Sequence, residues 1–232
     1  MTGVDEPSLS MWRSPEPAKG VALVLHGGAE HGAAVVRPWR LAYLRMVPMA
    51  RDLAAAGRAE GLHVALLRNR VRGWNAPALD AVRDARWALD RLTEEYPGLP
   101  IVLVGHSMGG RVALRIADDP AVRGVCALAP WTPRAEPVQA VSGKAVLIAH
   151  GTRDRITDPA ASHSFGERAL PGASRLARFE VAEDGHAMLR RSMVWRRLVR
   201  AFVLETLGLA ATDDLLREAW SKPHGERLRI PV

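Results

Sequence analysis

A serine with glycine two positions away on either side, in Gly105-His106-Ser107-Met108-Gly109, is the strongest chemical signal in this 232-residue chain. The apolar run Ile101-Val102-Leu103-Val104 leads into it, and the helix-favouring stretch Arg111 to Ala117 leads out. A G-x-S-x-G between a strand and a helix turns the backbone so tightly that small residues are needed around the serine, whose hydroxyl is left projecting. Ser107 is therefore a nucleophile candidate. A serine hydroxyl is a weak nucleophile at neutral pH, so it requires a base within hydrogen-bonding reach and a third group to orient that base.

Two later loops can supply them. Lys144 to His150 reads as a buried strand running into Gly151-Thr152-Arg153-Asp154, and Ser174 to Val181 reads as another, running into Ala182-Glu183-Asp184-Gly185-His186. In an open parallel sheet the loops beyond the carboxyl ends of the strands lie along one edge. Ser107, Asp154 and His186 are thus expected in one place. Rival residues fit less well. Asp158, before Pro159, reads as the start of a helix from Ala160 to Leu170. After the strand Val122 to Leu128 no carboxylate occurs until Glu136, while Glu183 and Asp184 share a loop with His186. His26 sits in the loop after the first apolar run, His106 lies inside the turn with its side chain directed away from that of Ser107, and His150 ends a strand. His31, His63, His163 and His224 lack the strand-to-helix setting, although His31 lies near enough to His26-Gly27 to approach the pocket.

The order Ser, Asp, His, the turn at Ser107 and the loop positions together resemble the α/β-hydrolase family, from about Val21 to about Leu207. Gly20 to Ala29 is similar to that family's first central strand and its His-Gly loop, here His26-Gly27-Gly28-Ala29. The resemblance implies an α/β fold with a mostly parallel central sheet of about six to seven strands and helices on both faces. It implies Ser107 as nucleophile, His186 as base and Asp154 as the orienting acid. It also implies an oxyanion hole from the backbone N–H groups of Met108 and Gly28, with Ala29 as the alternative donor. The implied activity is cleavage of a small carboxylic ester or thioester through an acyl-enzyme. Acyl transfer, peptide cleavage and perhydrolysis would use the same residues, and a binding protein that had lost the chemistry would keep the pocket.

The elements that must position these residues follow from the apolar pattern. Strand-like runs near 21–26, 62–67, 100–105, 122–129, 144–150 and 175–181 are separated by helical segments, the alternation of a parallel sheet covered on both faces. Leu79, Val82, Leu89 and Leu92 recur at helical spacing with Asp80, Asp84 and Arg91 on other faces. With 48% hydrophobic residues, positions 1–232 are expected to form one domain. Residues 1–19 are polar and leave room for one short strand around Leu9 to Arg13, so the opening strands are abbreviated. Pro130 to Gly143 is too short for a large cap. A small open pocket follows, suited to short or medium acyl chains, with Ala29, His31, Trp39, Tyr43 and Trp131 as candidate lining. The more polar tail, 208–232, carries a short helix from Leu215 to Trp220 and offers a surface for a homodimer.

The formal charge is +7, yet arginine is spread over nearly every segment without a nucleic-acid-binding motif, so no nucleic-acid partner is expected. In the helix after His186, Arg190, Arg197 and Arg200 fall opposite Met188, Trp195, Val199 and Phe202. That pattern fits an apolar face docked on the sheet with solvated arginines; an anionic partner or substrate is the alternative. The single cysteine, Cys126, lies in an apolar strand and reads as a buried thiol. No metal-ligand spacing or phosphate-binding loop occurs, so neither metal nor cofactor is expected. Without a signal peptide or membrane span, a cytoplasmic location and a small-molecule acyl substrate are expected.

Overall fold

The structure, a computed structural model, describes residues 6–232. Its strands are β1 (Ser8–Trp12), β2 (Gly20–Leu25), β3 (Leu62–Arg68), β4 (Ile101–His106), β5 (Val122–Leu128), β6 (Ala145–Gly151), β7 (Arg175–Val181) and β8 (Ile230–Pro231). Between them lie α1 (Leu41–Ala56), α2 (Asp80–Glu95), α3 (Met108–Arg115), α4 (Pro159–Ala169), α5 (Ser192–Thr206) and α6 (Asp214–Ser221). The strands form one sheet in the order β1-β3-β2-β4-β5-β6-β7-β8. Only β1 runs antiparallel to its neighbour, β3. The sheet therefore has one strand more than the upper expectation of seven. The strand that composition did not reveal is β8, a two-residue edge containing Pro231 that pairs with Phe179 and Glu180.

Every residue of β2, β4 and β6 is buried, as continuous apolar strands covered on both faces must be. Alternation along β2 sends Ala22 and Val24 to the face covered by α1, α5 and α6, with Met46, Leu53, Trp195 and Phe202 in its core. Val21, Leu23 and Leu25 point to the opposite face, covered by α2, α3 and α4, with Leu89, Val112 and Phe165. Among the described residues no helix is long and apolar enough to cross a membrane.

Three details depart from the apolar pattern. Asp84 is turned inward from α2, where Arg70 reaches it through both its backbone N–H, at 2.7 Å from Oδ2, and its side-chain Nε. Met188 and Arg190 precede α5 rather than belonging to it, and Met188 is buried at φ +57°. Tyr43, expected at the pocket wall, sits on the inner face of α1 in the core, its hydroxyl 2.9 Å from Ser10 Oγ. Helix α1 carries Pro48 in its interior and starts at Arg40 without a side-chain cap, so its sequence lacked a start signal from which that inner face could be phased.

Candidate active site

The sheet reverses its winding direction between β2 and β4: from β2 the chain steps outward to β3, then returns past β2 to β4. Loops leaving the carboxyl ends of strands at such a reversal splay apart and open a crevice. Here those loops are His26 to Ala29, after β2, and the turn at Ser107, after β4. Ser107 has φ +57° and ψ −118°, a conformation that costs a non-glycine residue energy and persists only where the surroundings impose it. They do so here through the hydrogen bond from Ser107 N–H to the Leu128 carbonyl, at 2.9 Å, and that from Trp131 N–H to the Ser107 carbonyl, at 3.1 Å. The flanking glycines are needed for close approach: a Cβ on Gly105 would lie 2.2 Å from the Gly109 carbonyl oxygen, and one on Gly109 would lie 2.4 Å from that of Leu25.

The loops after β4, β6 and β7 bring the three candidate side chains together. Ser107 Oγ lies 3.0 Å from His186 Nε2, and His186 Nδ1 lies 2.8 Å from Asp154 Oδ2. Asp154 is fixed in turn. Its Oδ1 accepts the N–H groups of Ile156, at 2.8 Å, and Thr157, at 3.1 Å. Its Oδ2 also accepts the Thr157 hydroxyl, at 2.9 Å, and lies 3.2 Å from His150 Nε2. Burial pushes this carboxyl up, but the hydrogen bonds from His150, His186 and the two amides outweigh it and hold Asp154 well below the usual carboxylate range. Asp154 is therefore an ionised acceptor for the imidazole.

Sequence reading did not single out Thr157 or His150 as part of this cluster. The Thr157 Oγ1 atom lies 3.2 Å from His186 Nδ1 as well as on Asp154. His150 is buried, and its Nδ1 lies 2.8 Å from Ser162 Oγ. A polar triplet spacing of Asp154 to Thr157 was the available signal, because a threonine three residues after an aspartate can fold back on its carboxylate. Nothing local marks His150, whose contact with Asp154 depends on the loop returning over its own strand.

The backbone around His186 is also tied down. His106 Nε2–H donates to the His186 carbonyl, at 2.9 Å, and the two rings lie 4.7 Å apart. Burial, with a further push from the neighbouring His186, takes His106 down to about 3. Asp184 accepts the N–H groups of Gly185, at 2.8 Å, and Arg191, at 2.9 Å, and the Trp195 indole N–H, at 2.9 Å. It is thus a scaffold for the loop, and Asp158 caps α4 by accepting Ala160 N–H, at 2.8 Å.

Two flanks border Ser107. On one, a groove of about 350 Å³ runs between α1 and the segment after His186, lined by residues that include Leu41, Leu44, Arg45, Leu189 and Arg196. A second groove, of about 500 Å³, shares Leu41 and continues along His26 to Ala29, with Trp39 and Arg40. On the other flank, Trp131 and Thr157 line a third depression, which Ile156 borders. Behind Trp131, the Arg111 guanidinium packs into the corner between the nearly perpendicular rings of Trp74, at 3.9 Å, and Trp131, at 4.3 Å, and donates to Glu136, at 2.6 Å. Arg115 binds the other Glu136 oxygen. His31 lines none of these grooves; it stands out in solvent beside Glu30. Ala29 lines the second groove, but its N–H is engaged by the Arg72 carbonyl, at 2.9 Å.

Comparison with known proteins identifies a family and a fold. The family model described as serine aminopeptidase, S33, matches residues 16–145. Human monoglyceride lipase is 31% identical over 109 residues, which is 47% of this chain but 33% of that enzyme; the match thus spans about a third of the curated relative. Among solved structures, an alpha-beta serine hydrolase homologue from Coxiella burnetii superposes with a TM-score of 0.63 at 17% identity, covering 84% of this chain and 90% of the other. A monoacylglycerol lipase from Paleococcus ferrophilus does so with a TM-score of 0.61 at 16% identity, covering 88% and 100%. At such identities these likenesses concern the fold. With the family model matching more than half of its residues, the chain belongs to the S33 serine aminopeptidase family of α/β hydrolases.

Proposed function

We propose that the protein is a serine hydrolase that cleaves a small carboxylic ester or thioester through an acyl-enzyme. The observation that carries this reading is the continuous chain Ser107 Oγ to His186 Nε2, 3.0 Å, and His186 Nδ1 to Asp154 Oδ2, 2.8 Å. Ser107 Oγ attacks the acyl carbonyl as His186 takes its proton, and Asp154 stabilises the imidazolium. His186 then returns the proton to the departing alcohol or thiol. A water activated by the same imidazole releases the acid and restores the serine. The tetrahedral oxyanion of each step is met by the N–H groups of Met108 and Gly28; the engagement of Ala29 N–H with Arg72 supports Gly28 over its neighbour.

Among esters, a glycerol monoester is the first to assay, because the similarity includes lipases acting on monoglycerides. Aminopeptidase action, which the family's description suggests, is disfavoured by charge. A substrate's terminal ammonium would call for a free carboxylate near Ser107; neither groove beside the His26 loop or α1 is lined by one, and the Asp158 that lines the third depression caps α4. The test is labelling with a fluorophosphonate and peptide mapping, alongside p-nitrophenyl ester hydrolysis. Label on Ser107 and loss of at least roughly 10³-fold in turnover in Ser107→Ala are expected. An undiminished rate in Ser107→Ala, with its fold intact, would remove Ser107 from the mechanism.

A further inference from the structure

The two grooves that share Leu41 combine features that rarely occur together on a solvent-exposed surface. Trp39, Leu41, Leu44 and Leu189 line them and are exposed, Leu41 by 77% and Leu189 by 72%. Contiguous exposed apolar side chains on a soluble protein mark a surface that something covers. The charge is one-sided as well. Arg45 and Arg196 line the first groove, Arg37, Arg40 and Arg72 the second, and no aspartate or glutamate lines either. This imbalance is written into the chain: positions 31–51 hold four arginines and positions 185–204 hold five, with no carboxylate in either stretch.

Two other arginines of α5 are neutralised. Arg197 and Arg200 on α5 pair with Asp213, at 3.0 Å, and Asp52, at 3.6 Å. No carboxylate among the described residues pairs with Arg45 or Arg196. Both grooves adjoin the candidate site: the first is walled by Ala187 and Met188, directly after His186, and the second by His26 to Ala29, where a Cβ on Gly27 would lie 3.3 Å from that of Ser107. An occupant here lies beside the candidate site rather than at a remote face.

We propose that the substrate is an anionic amphiphile. It is an ester whose alkyl portion lies along Leu41, Leu44 and Leu189 while a phosphate, sulfate or carboxylate that it carries meets Arg45 and Arg196. Guanidinium groups favour such oxyanions through paired N–H donors, and their stems add apolar contact along the groove. This assignment rests on the reading of Ser107 as nucleophile, so its test uses binding as well as turnover.

Octyl phosphate below its micellar concentration, octyl glucoside and inorganic phosphate are titrated calorimetrically into the full chain and into Ser107→Ala. Octyl phosphate is expected to bind at least tenfold more tightly than either of the others, with the advantage shrinking as salt rises. In the double variant Arg45→Gln, Arg196→Gln the tenfold advantage should vanish while octyl glucoside binds as before, which also reports an intact groove. Octyl phosphate should slow fluorophosphonate labelling of Ser107 in the unmodified chain. Equal affinity for the charged and neutral amphiphiles overturns the proposal, as does a preference that survives in the double variant. Tight binding that leaves labelling unaffected overturns the substrate assignment. Binding only to phosphatidylglycerol vesicles, with none to monomeric octyl phosphate, replaces it by docking on a lipid surface. A Ser107 that never labels, with the charge preference intact, sinks the hydrolase reading and leaves the binding result standing.

Discussion

The two flanks of Ser107 use the same side chain in opposite ways. On the α3 side, Arg111 sits in the corner of two nearly perpendicular indole rings and is bonded to Glu136, which also binds Arg115. On the α1 side, Arg45 and Arg196 border an apolar groove with no carboxylate in its lining. A guanidinium whose donors are already taken is part of the wall. One whose donors face a groove can still recognise something. The difference cannot be read from arginine content; it depends on where the few carboxylates fall.

The largest effect should come from breaking the saturated flank. Glu136→Ala leaves Arg111 largely buried without its partner, and loss of one member of a buried pair costs about 3 to 5 kcal/mol, read as a lowered urea midpoint. A loss below about 1 kcal/mol would mean that Arg111 finds solvent and that the two flanks differ less than their contacts indicate.

Acid should expose the opposite flank next. His26 is buried against Tyr43 of α1, its Nδ1–H donating to the Gly27 carbonyl, at 2.6 Å, and its Nε2 accepting Asn69 N–H, at 3.2 Å. Both ring nitrogens are thus used by the neutral form, and burial pushes His26 down to about 4. As pH falls below about 6.5 the unfolded chain takes up a proton that the folded chain refuses until about 4. Stability attributable to His26 is therefore complete above 6.5 and lost progressively toward 4, by on the order of 3 kcal/mol. Urea midpoints for wild type and His26→Gln across that interval check this; parallel slopes would assign the acid sensitivity elsewhere.

Smaller, and confined to chemistry, is the effect of Thr157→Val. Removing a hydroxyl that touches both Asp154 and the imidazole should lower kcat by about tenfold, worth about 1.4 kcal/mol, with KM nearly unchanged and Thr157→Ser restoring most of the rate. A change in KM alone would make Thr157 a groove residue instead of a positioning one. Smallest of all, the double variant Arg45→Gln, Arg196→Gln should shift stability by no more than about 0.5 kcal/mol, since neither guanidinium is tied into the fold by a carboxylate. A larger loss would show that this flank, too, is structural.

Much of this architecture was legible because it is periodic or local. The six apolar runs correspond to β2 through β7, and the three loops carrying Ser107, Asp154 and His186 follow from strand ends alone. What escaped depends on contacts distant in sequence. Tyr43 gave no sign of facing inward because α1 starts without a cap and carries Pro48, and Asp84 looked solvated because its partner, Arg70, lies on the loop after β3. Glu136 was noted only as a carboxylate too distant to orient His186; its actual neighbours, Arg111 and Arg115, sit on α3. Helical and strand periods encode which way a residue points, whereas the choice of an ionic partner is settled only when loops from different strands meet.

The bond from His106 to the His186 carbonyl has a mechanical consequence. His106 is the covalent neighbour of Ser107, so alcohol and imidazole are joined by one peptide link and one buried clasp, without passing through either helix layer. Breathing of α1, or of the solvent-facing tip around Leu189, can widen the doorway while the separation of Ser107 and the His186 backbone stays put. Only a motion that pulls this clasp open would uncouple the pair, which makes a slowly exchanging His106 ring proton the signature of a mouth that flexes around a rigid hearth.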